Sequence, residues 1–227
     1  MPEPPPFPWD DESPVVKSQI QTNLDRLLPD IRTSGERRDP VSLNLVKDWH
    51  TRMLDGIPVA EPAVAGGFRG SGPPRGTLRT CSVIVGRTRL PGAAAGQVRA
   101  RTREFARELT QRVAVLDGHV APKTPAGDEQ EGVVLELLAW AHGEWIRIHP
   151  FANGNGRTAR AWVLWGSVRY GLPVFLTLRP RPRGGVRGSD RLTPYEQAAT
   201  ASMSGRHQRT QLLFTDMLAE HRTIDQT

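Results

Sequence analysis

The chain has 227 residues and a mass of 25.1 kDa, which is enough for one sizeable hydrophobic core and gives no reason to divide it into two domains. No apolar run approaches the roughly 18 residues of a membrane-spanning helix, and the N-terminus lacks the basic and then apolar layout of a signal peptide. The single cysteine, Cys81, excludes an internal disulfide. These features predict a cytoplasmic protein without membrane contact, and a cysteine-poor effector secreted through an external signal would share them.

The formal net charge of +6 and the isoelectric point near 10.3 are typical of proteins that bind nucleic acid. Only three of the thirty basic residues are lysine, and the coding bias of a GC-rich genome explains such an excess of arginine without any selection for binding. The most basic segment, residues 179–187, carries no aromatic side chain that could stack on a base. We therefore do not expect nucleic acid to be the main partner.

Apolar residues at intervals of three and four predict a mostly helical chain. Ser13 is a suitable N-cap and Pro14 suits the first helical position, so together they predict the start of the first helix. Pro29 predicts that this helix ends nearby, because proline disrupts a helix interior. The other helices expected from the pattern span about 42–56, 97–116, 130–147, 194–202 and 207–221.

The segment 63–91 differs from its surroundings in composition. Glycine and proline surround an alternating stretch from Leu78 to Ile84, which predicts a β-hairpin or flap. The expected fold class is therefore all-α with a small β-hairpin. A proline-rich tail is expected over residues 1–12 and a single domain over residues 13–222.

The helix expected over 130–147 has a strong apolar face and carries His142. His142 lies seven positions before His149, a spacing at which two imidazoles on one helix share a face, as a metal site would require. No cysteine or carboxylate stands at a matching interval, and Pro150 predicts that the helix has ended by His149. We therefore expect His142 to be a core residue held by packing or a hydrogen bond.

Residues 149–160 read His-Pro-Phe-Ala-Asn-Gly-Asn-Gly-Arg-Thr-Ala-Arg. The turn formed by Gly154, Asn155 and Gly156 can adopt positive φ at its two glycines with little steric cost, and can direct backbone N–H groups at an anion. The apolar residues that follow, over 159–168, predict a buried helix whose first N–H groups point to the same place. The segment is therefore suited to binding a phosphate.

Three side chains of the same segment add reactive and charged groups. Arg157 and Arg160 lie three residues apart near the start of the expected helix, where guanidinium groups can bind phosphate oxygens bidentately. His149 precedes the turn and can accept a proton from an attacking hydroxyl, a role worth roughly 10²- to 10⁴-fold in rate. Together these residues suit phosphate chemistry at a nucleotide.

This segment resembles the signature of the Fic family, His-x-Phe-x-(Asp/Glu)-Gly-Asn-Gly-Arg-x-x-Arg, at every fixed position except Asn153, where the family usually carries an acid. Weaker similarities flank the signature and extend the resemblance over roughly residues 42–220. Only the signature is specific. The flanking similarities are Trp49-His50 on the second helix, Gly66-Gly67-Phe68-Arg69 in the flap, Leu172-Pro173, and the tyrosine-containing helix that begins at Pro194.

The resemblance implies a helical domain that uses Mg²⁺ and transfers AMP from ATP to a serine, threonine or tyrosine hydroxyl of a target protein. His149 is then the general base and Phe151 anchors the loop. The remaining roles implied are an anion-binding turn at Gly154, Asn155 and Gly156, β- and γ-phosphate binding by Arg157 and Arg160, and a target-binding flap at Phe68 and Arg69.

The sequence also fits other activities. The same site with ATP reversed would present the γ phosphate and act as a protein kinase, as in the Doc-like branch of the family. A different nucleotide donor is a further option. A non-catalytic module that binds nucleotide or nucleic acid is the alternative from another functional class.

The chain departs from the family at two places. Asn153 offers the metal a neutral amide oxygen where Mg²⁺ normally takes a carboxylate, which predicts weakened metal binding. Many Fic proteins also inhibit themselves through a helix with the pattern (Ser/Thr)-x-x-x-Glu-(Gly/Asn), and no glutamate of this chain has serine or threonine four residues before it. Either a small antitoxin protein supplies that carboxylate, or the protein is not restrained in this way.

Overall fold

The computed structural model describes residues 13–85, 89–122, 124, 126–179 and 192–224. Seven α-helices, one short 3₁₀ helix (Pro62–Val64) and one two-stranded antiparallel sheet make up this part of the chain, which confirms an all-α fold with a small hairpin. The predicted tail at 1–12 and most of the basic segment at 179–187 lie outside the described residues. The helices are α1 Pro14–Glu36, α2 Leu43–Met53, α3 Ala95–Asp117, α4 Asp128–Ile148, α5 Asn155–Arg169, α6 Pro194–Met203 and α7 Gln208–Ile224.

Helix α1 begins as predicted, with the Ser13 hydroxyl accepting the Val16 N–H at 3.2 Å and Pro14 at the first helical position. The predicted end near Pro29 is wrong, because α1 continues to Glu36 with Pro29 inside it. An interior proline costs a helix about 3 kcal/mol. Burial of the second half of α1, including Ile31, offsets that cost.

Helix α5 lies at the centre of the packing and contacts α1, α2 and α4. Its residues are buried almost all round, as the apolar sequence predicts. Gly35 lets α1 approach closely, since a Cβ at that position would lie 2.6 Å from the Trp165 carbonyl oxygen. On the other side, the Trp162 ring meets Trp49 edge-on with centroids 5.0 Å apart. The helix that follows the glycine turn is therefore a rigid support for it.

The hairpin is smaller than the sequence predicts. Strand β1 (Ile84–Val85) pairs antiparallel with strand β2 (Leu90–Pro91), Ile84 opposite Pro91 and Val85 opposite Leu90. The preceding residues, from Leu78 onward, form turns and irregular backbone, and both Leu78 and Cys81 are buried in the core. The alternation of apolar and polar residues from Leu78 to Ile84 therefore comes from the burial of single side chains and not from a paired strand. None of the helices in the described ranges is long and apolar enough to cross a membrane.

Arg69 joins the flap to the end of α4. Its side chain is 1% exposed, and every nitrogen of the guanidinium donates to a backbone carbonyl. A positive charge at the C-terminal end of a helix is also favourable, because the last carbonyls of the helix point toward it. The accepting oxygens belong to His149 (2.7 Å), Ile148 (3.1 Å), Cys81 (2.9 Å) and Ala93 (2.8 Å).

Replacing Arg69 with methionine keeps much of the side-chain volume and removes all of these donors. We expect the free energy of unfolding to fall by about 3 kcal/mol or more, because hydrogen bonds to a charged group contribute about 1.5–3 kcal/mol each and the carbonyls are left buried. Urea denaturation measures this loss. Arg107→Met on the exposed face of α3 is the matched control and should change the value by less than about 0.5 kcal/mol; equal losses for both would contradict the assignment.

Candidate active site

His149 is placed by the end of α4. It is the C-cap residue, in the left-handed conformation with φ 52° and ψ 59°, and its N–H donates to the Trp145 carbonyl at 2.9 Å. This conformation costs a non-glycine residue roughly 1–2 kcal/mol. The Arg69 guanidinium holds the His149 carbonyl in place, so the backbone turns sharply at the residue that the sequence predicts to be the base.

The His149 ring has a defined tautomer. Its Nδ1 lies 2.9 Å from the Ile146 carbonyl oxygen, which can only accept, so Nδ1 carries the hydrogen and Nε2 has a free lone pair. Burial lowers the pKa of His149 to about 4; the bond to Ile146 opposes this shift and the Arg69 charge adds to it. The imidazole is therefore neutral at pH 7 and can accept a proton through Nε2.

The loop after His149 is braced by the side chain of Asn155. Its Oδ1 accepts the Phe151 N–H and its Nδ2 donates to the Phe151 carbonyl, both at 2.8 Å. Asn155 is 1% exposed and Phe151 is fully buried. Phe151 thus anchors the loop as predicted, while the Asn155 side chain faces inward and leaves only its backbone for the predicted anion turn.

The glycine turn opens α5. Gly154 is the N-cap with φ 77°, whereas Gly156 lies inside the helix, so only one of these two glycines uses the left-handed region. The N–H groups of Arg157 and Thr158 both donate to the Gly154 carbonyl at 3.0 Å. The N–H groups of Asn155 and Gly156 precede these first helical bonds, as orphan donors of a helix N-terminus do. They can therefore donate to an anion.

His50 supports the turn from α2. Its Nδ1 accepts the Gly66 N–H and its Nε2 donates to the Asn153 carbonyl, each at 3.0 Å. The fully buried ring stacks on Phe151 at 3.8 Å between centroids, and a Cβ on Gly154 would lie 3.1 Å from Nε2. Glycine is therefore required at 154 for its conformation and for space.

The two hydrogen bonds of His50 need a neutral ring, because Nδ1 accepts and Nε2 donates. Burial and nearby charge keep the ring in that form. Burial is the main reason that the pKa of His50 is lowered to about 3; the bond to the Asn153 carbonyl opposes the shift and the Arg157 charge adds to it. The sequence singles out His50 only as part of a flanking similarity, because its partner on the loop lies 103 residues away. No local pattern could assign that contact.

The two arginines occupy different surroundings. Arg157 is partly exposed in the first turn of α5. Arg160 is 4% exposed; its Nε and Nη2 donate to the Leu178 carbonyl at 3.2 and 2.7 Å, and its Nη1 donates to the Tyr195 hydroxyl at 3.2 Å. Nη1 also lies 3.3 Å from the position of a Cβ on Gly156, so the guanidinium borders the turn. Phosphate binding by both stays a prediction.

The predicted flap residues Phe68 and Arg69 point into the protein. Phe68 is 7% exposed and packs against Phe151 and Trp145, with the Lys47 ammonium 4.7 Å from its ring centroid. The Arg69 guanidinium bonds to four backbone carbonyls. Both side chains therefore stabilise the loop in this arrangement, and a role in aligning a target stays a prediction.

The metal-ligand set at the loop is sparse. Asn153 Oδ1 accepts the Gly154 N–H at 2.6 Å, which leaves one lone pair on a neutral oxygen. The segment 149–160 contains no acid, and among the described residues no group of three or more His, Cys, Asp or Glu side chains is placed to hold a metal. Asn153 therefore fits Mg²⁺ as a single neutral ligand, so most of the coordination would come from nucleotide phosphates and water.

His142, in contrast, is a core residue as predicted. It is 1% exposed on α4, and its Nε2 lies 2.7 Å from the Tyr195 hydroxyl. Its ring also meets Phe214 edge-on. The sequence gives no sign that Tyr195 connects His142 to Arg160, because the three residues lie on three different helices.

The fold and the loop together define a helical domain built around a Fic signature. A family model described as Fic/DOC matches residues 40–165, which is more than half of the chain, so the protein belongs to the Fic/DOC family. None of the curated proteins compared with the chain matches it.

A solved structure supports the fold. The chain is similar to the crystal structure of a Fic domain containing signaling protein from Bacteroides thetaiotaomicron VPI-5482, with a TM-score of 0.53 and 20% sequence identity. The match covers 73% of this chain and 53% of that one, so this chain spans about half the length of the relative. At this identity the similarity shows the fold alone.

The role of His50 can be tested with two substitutions that each retain one of its bonds. Asparagine places an oxygen near the position of Nδ1 and keeps the Gly66 bond, whereas glutamine places an N–H near Nε2 and keeps the Asn153 bond. We expect both variants to lower the free energy of unfolding by about 1–3 kcal/mol, since each leaves a buried group unpaired.

Nucleotide binding should separate the two variants. His50→Gln should retain ATP affinity better than His50→Asn, because only the former still holds the loop carbonyl. Urea denaturation and calorimetric titration with ATP provide both values. Equal affinities in the two variants would show that the Asn153 bond does not position the turn.

Proposed function

We propose that the protein transfers AMP from ATP to a serine, threonine or tyrosine hydroxyl of a target protein, with His149 as the general base. The observation that carries the proposal is the His149 tautomer. Its Nδ1–H is committed to the Ile146 carbonyl, so the unprotonated Nε2 is available on a residue five positions before the N-cap of α5, Gly154. Membership of a family that includes many transferases supports the same reaction class.

The proposed reaction is one substitution at the α phosphorus of ATP. The target hydroxyl gives its proton to Nε2 of His149 while its oxygen attacks the α phosphorus. The bond from that phosphorus to the bridging oxygen of the β phosphate breaks, and pyrophosphate leaves. The low pKa of His149 keeps the ring unprotonated near neutral pH, at the expense of basicity.

Phosphate charge would be met mainly by fixed donors. The N–H groups of Asn155 and Gly156 suit one phosphate, and the guanidinium groups of Arg157 and Arg160 suit the other two. One helix terminus contributes only about 0.3–1 kcal/mol, and up to about 2 in a partly buried site, so the arginines are required. Mg²⁺, bound by the phosphates with help from Asn153, would neutralise charge on the leaving pyrophosphate.

We further propose a cytoplasmic location, and restraint by a small partner that supplies the carboxylate missing from this chain. The single cysteine, Cys81, supports the first proposal. The second is supported by the glutamates of the sequence, none of which has serine or threonine four residues before it; the alternative is that the protein is not restrained in this way. A stable helical partner that copurifies with the protein and lowers its activity would support the second proposal.

Labelled ATP and a cell lysate test the proposed reaction. Label from the α position should appear on protein, and His149→Ala should lower it by roughly 10²- to 10⁴-fold because the base is lost. His119→Ala, an exposed histidine at the end of α3, is the control and should retain activity. Transfer of γ label alone would indicate a kinase instead. With neither label, the proposal fails, and UTP or a CDP-alcohol would be tried as donor.

Asn153→Asp tests the metal site. Aspartate can accept the same Gly154 N–H, so the loop should keep its shape while gaining a charged ligand. We expect half-maximal activity, and half-maximal ATP binding, at a lower Mg²⁺ concentration than in the wild type. Superimposable Mg²⁺ titrations of the two proteins would show that residue 153 does not set the metal requirement.

A further inference from the structure

Tyr195 connects two buried residues that lie on different helices. Its hydroxyl is 3.2 Å from Arg160 Nη1 on α5 and 2.7 Å from His142 Nε2 on α4. Tyr195, Arg160 and His142 are 6%, 4% and 1% exposed. The hydroxyl is therefore the middle of a buried hydrogen-bond chain that ends at the edge of the glycine turn.

The direction of this chain follows from the donors that each group has. Arginine can only donate, so the Tyr195 oxygen accepts from Nη1. Burial lowers the pKa of His142 to about 3, with smaller contributions from the Arg160 and His207 charges, so its ring is neutral.

The His142 tautomer can be chosen by counting buried groups. His142 Nδ1 has no partner within the part of the chain that the structure describes. If Nε2 carried the hydrogen, both the lone pair of Nδ1 and the tyrosine hydrogen would be unpaired. With the hydrogen on Nδ1, Tyr195 donates to Nε2 and a single group is left unpaired, which costs less. A hydroxyl that donates in this way is also a better acceptor for Arg160.

The N-terminus of α6 fixes the position of Tyr195. The Thr193 hydroxyl accepts the Glu196 N–H at 3.1 Å, and the Glu196 carboxylate accepts the Thr193 N–H at 2.9 Å, which is a capping box. Pro194 occupies the first helical position. Tyr195 is the next residue, so its ring leaves the helix from a rigid turn.

The contacts of Arg160 give the hydroxyl a specific effect. Leu178 accepts from Nε and Nη2, which fixes one edge of the planar guanidinium, and Tyr195 fixes the Nη1 corner beside Gly156. Nη1 carries two hydrogens. One points to Tyr195, and the other is left to reach an oxygen of the β or γ phosphate.

We propose that Tyr195 is a positioning residue that orients Arg160 for the β and γ phosphates of the nucleotide. The proposal rests on the proposed function, since it assigns the phosphates to Arg160. It gives Tyr195 and His142, which both lie outside the segment 149–160, a role in nucleotide affinity. A merely structural tyrosine would affect stability and all ligands alike.

Tyr195→Phe removes the hydroxyl and keeps the ring. We expect calorimetric titration to show roughly tenfold weaker binding of a non-hydrolysable ATP analogue, as loss of one charged hydrogen bond predicts. AMP, which lacks the β and γ phosphates, should bind within about twofold of the wild type. The matched control is Tyr170→Phe, because Tyr170 is fully buried and donates to Val113, away from the loop; it should change neither affinity.

A double-mutant cycle tests whether Tyr195 acts through Arg160. In an Arg160→Gln background, Tyr195→Phe should weaken binding of the analogue by less than about twofold. If the two substitutions weakened binding independently, so that the loss in the double variant were the product of the two single losses, the proposal would be overturned. An equal loss of affinity for the analogue and for AMP in Tyr195→Phe would also overturn it. A wild type that binds the analogue no more tightly than AMP would overturn the proposed function as well, whereas normal discrimination by the wild type confines a failure to Tyr195.

Discussion

The bonds of Arg69 to the end of α4 determine the geometry of the loop. A helix that ends inside a protein leaves carbonyl groups without partners, and here the carbonyls of Ile148 and His149 both bond to one guanidinium. The Pro150 carbonyl accepts the Arg69 N–H at 2.7 Å. Three successive carbonyls thus face the same residue, which requires a sharp turn and places His149 in the left-handed conformation. This contact therefore fixes the course of the backbone at His149 and Pro150, where the loop toward the glycine turn begins.

Around this turn, imidazoles are kept neutral and positive charge is carried by arginine. Burial lowers the pKa of His50 and His142 to about 3 and that of His149 to about 4. Nearby guanidinium groups favour the same neutral forms. Each ring can therefore accept a hydrogen bond or a proton at pH 7. A site that used protonated histidine to bind phosphate would lose affinity through the physiological range.

Local sequence predicted the helices and the loop because both depend on short-range patterns. The buried character of α5 follows from its own apolar residues, and the glycine turn from its own composition. Features set by distant contacts were missed. The cost of Pro29 was outweighed by packing of α1 against α5, the inward orientation of Phe68 and Arg69 depends on the end of α4, and the surroundings of Arg160 depend on a residue of α6. The spacing of residues predicted which side chains lie near the loop, but it could not predict which of them are buried.

Residue 153 can both brace the loop and offer an oxygen to a metal ion, and asparagine in place of an acid affects these two roles differently. The Asn153 side chain accepts the Gly154 N–H and its backbone carbonyl accepts from His50, so the residue braces the turn on both sides. Neither bond requires a charge, and asparagine makes both as well as an acid would. A metal ion, however, gains most from a charged oxygen. Asparagine in place of an acid therefore keeps both bonds that brace the loop, and what it lacks is the charge that a metal ion would gain from.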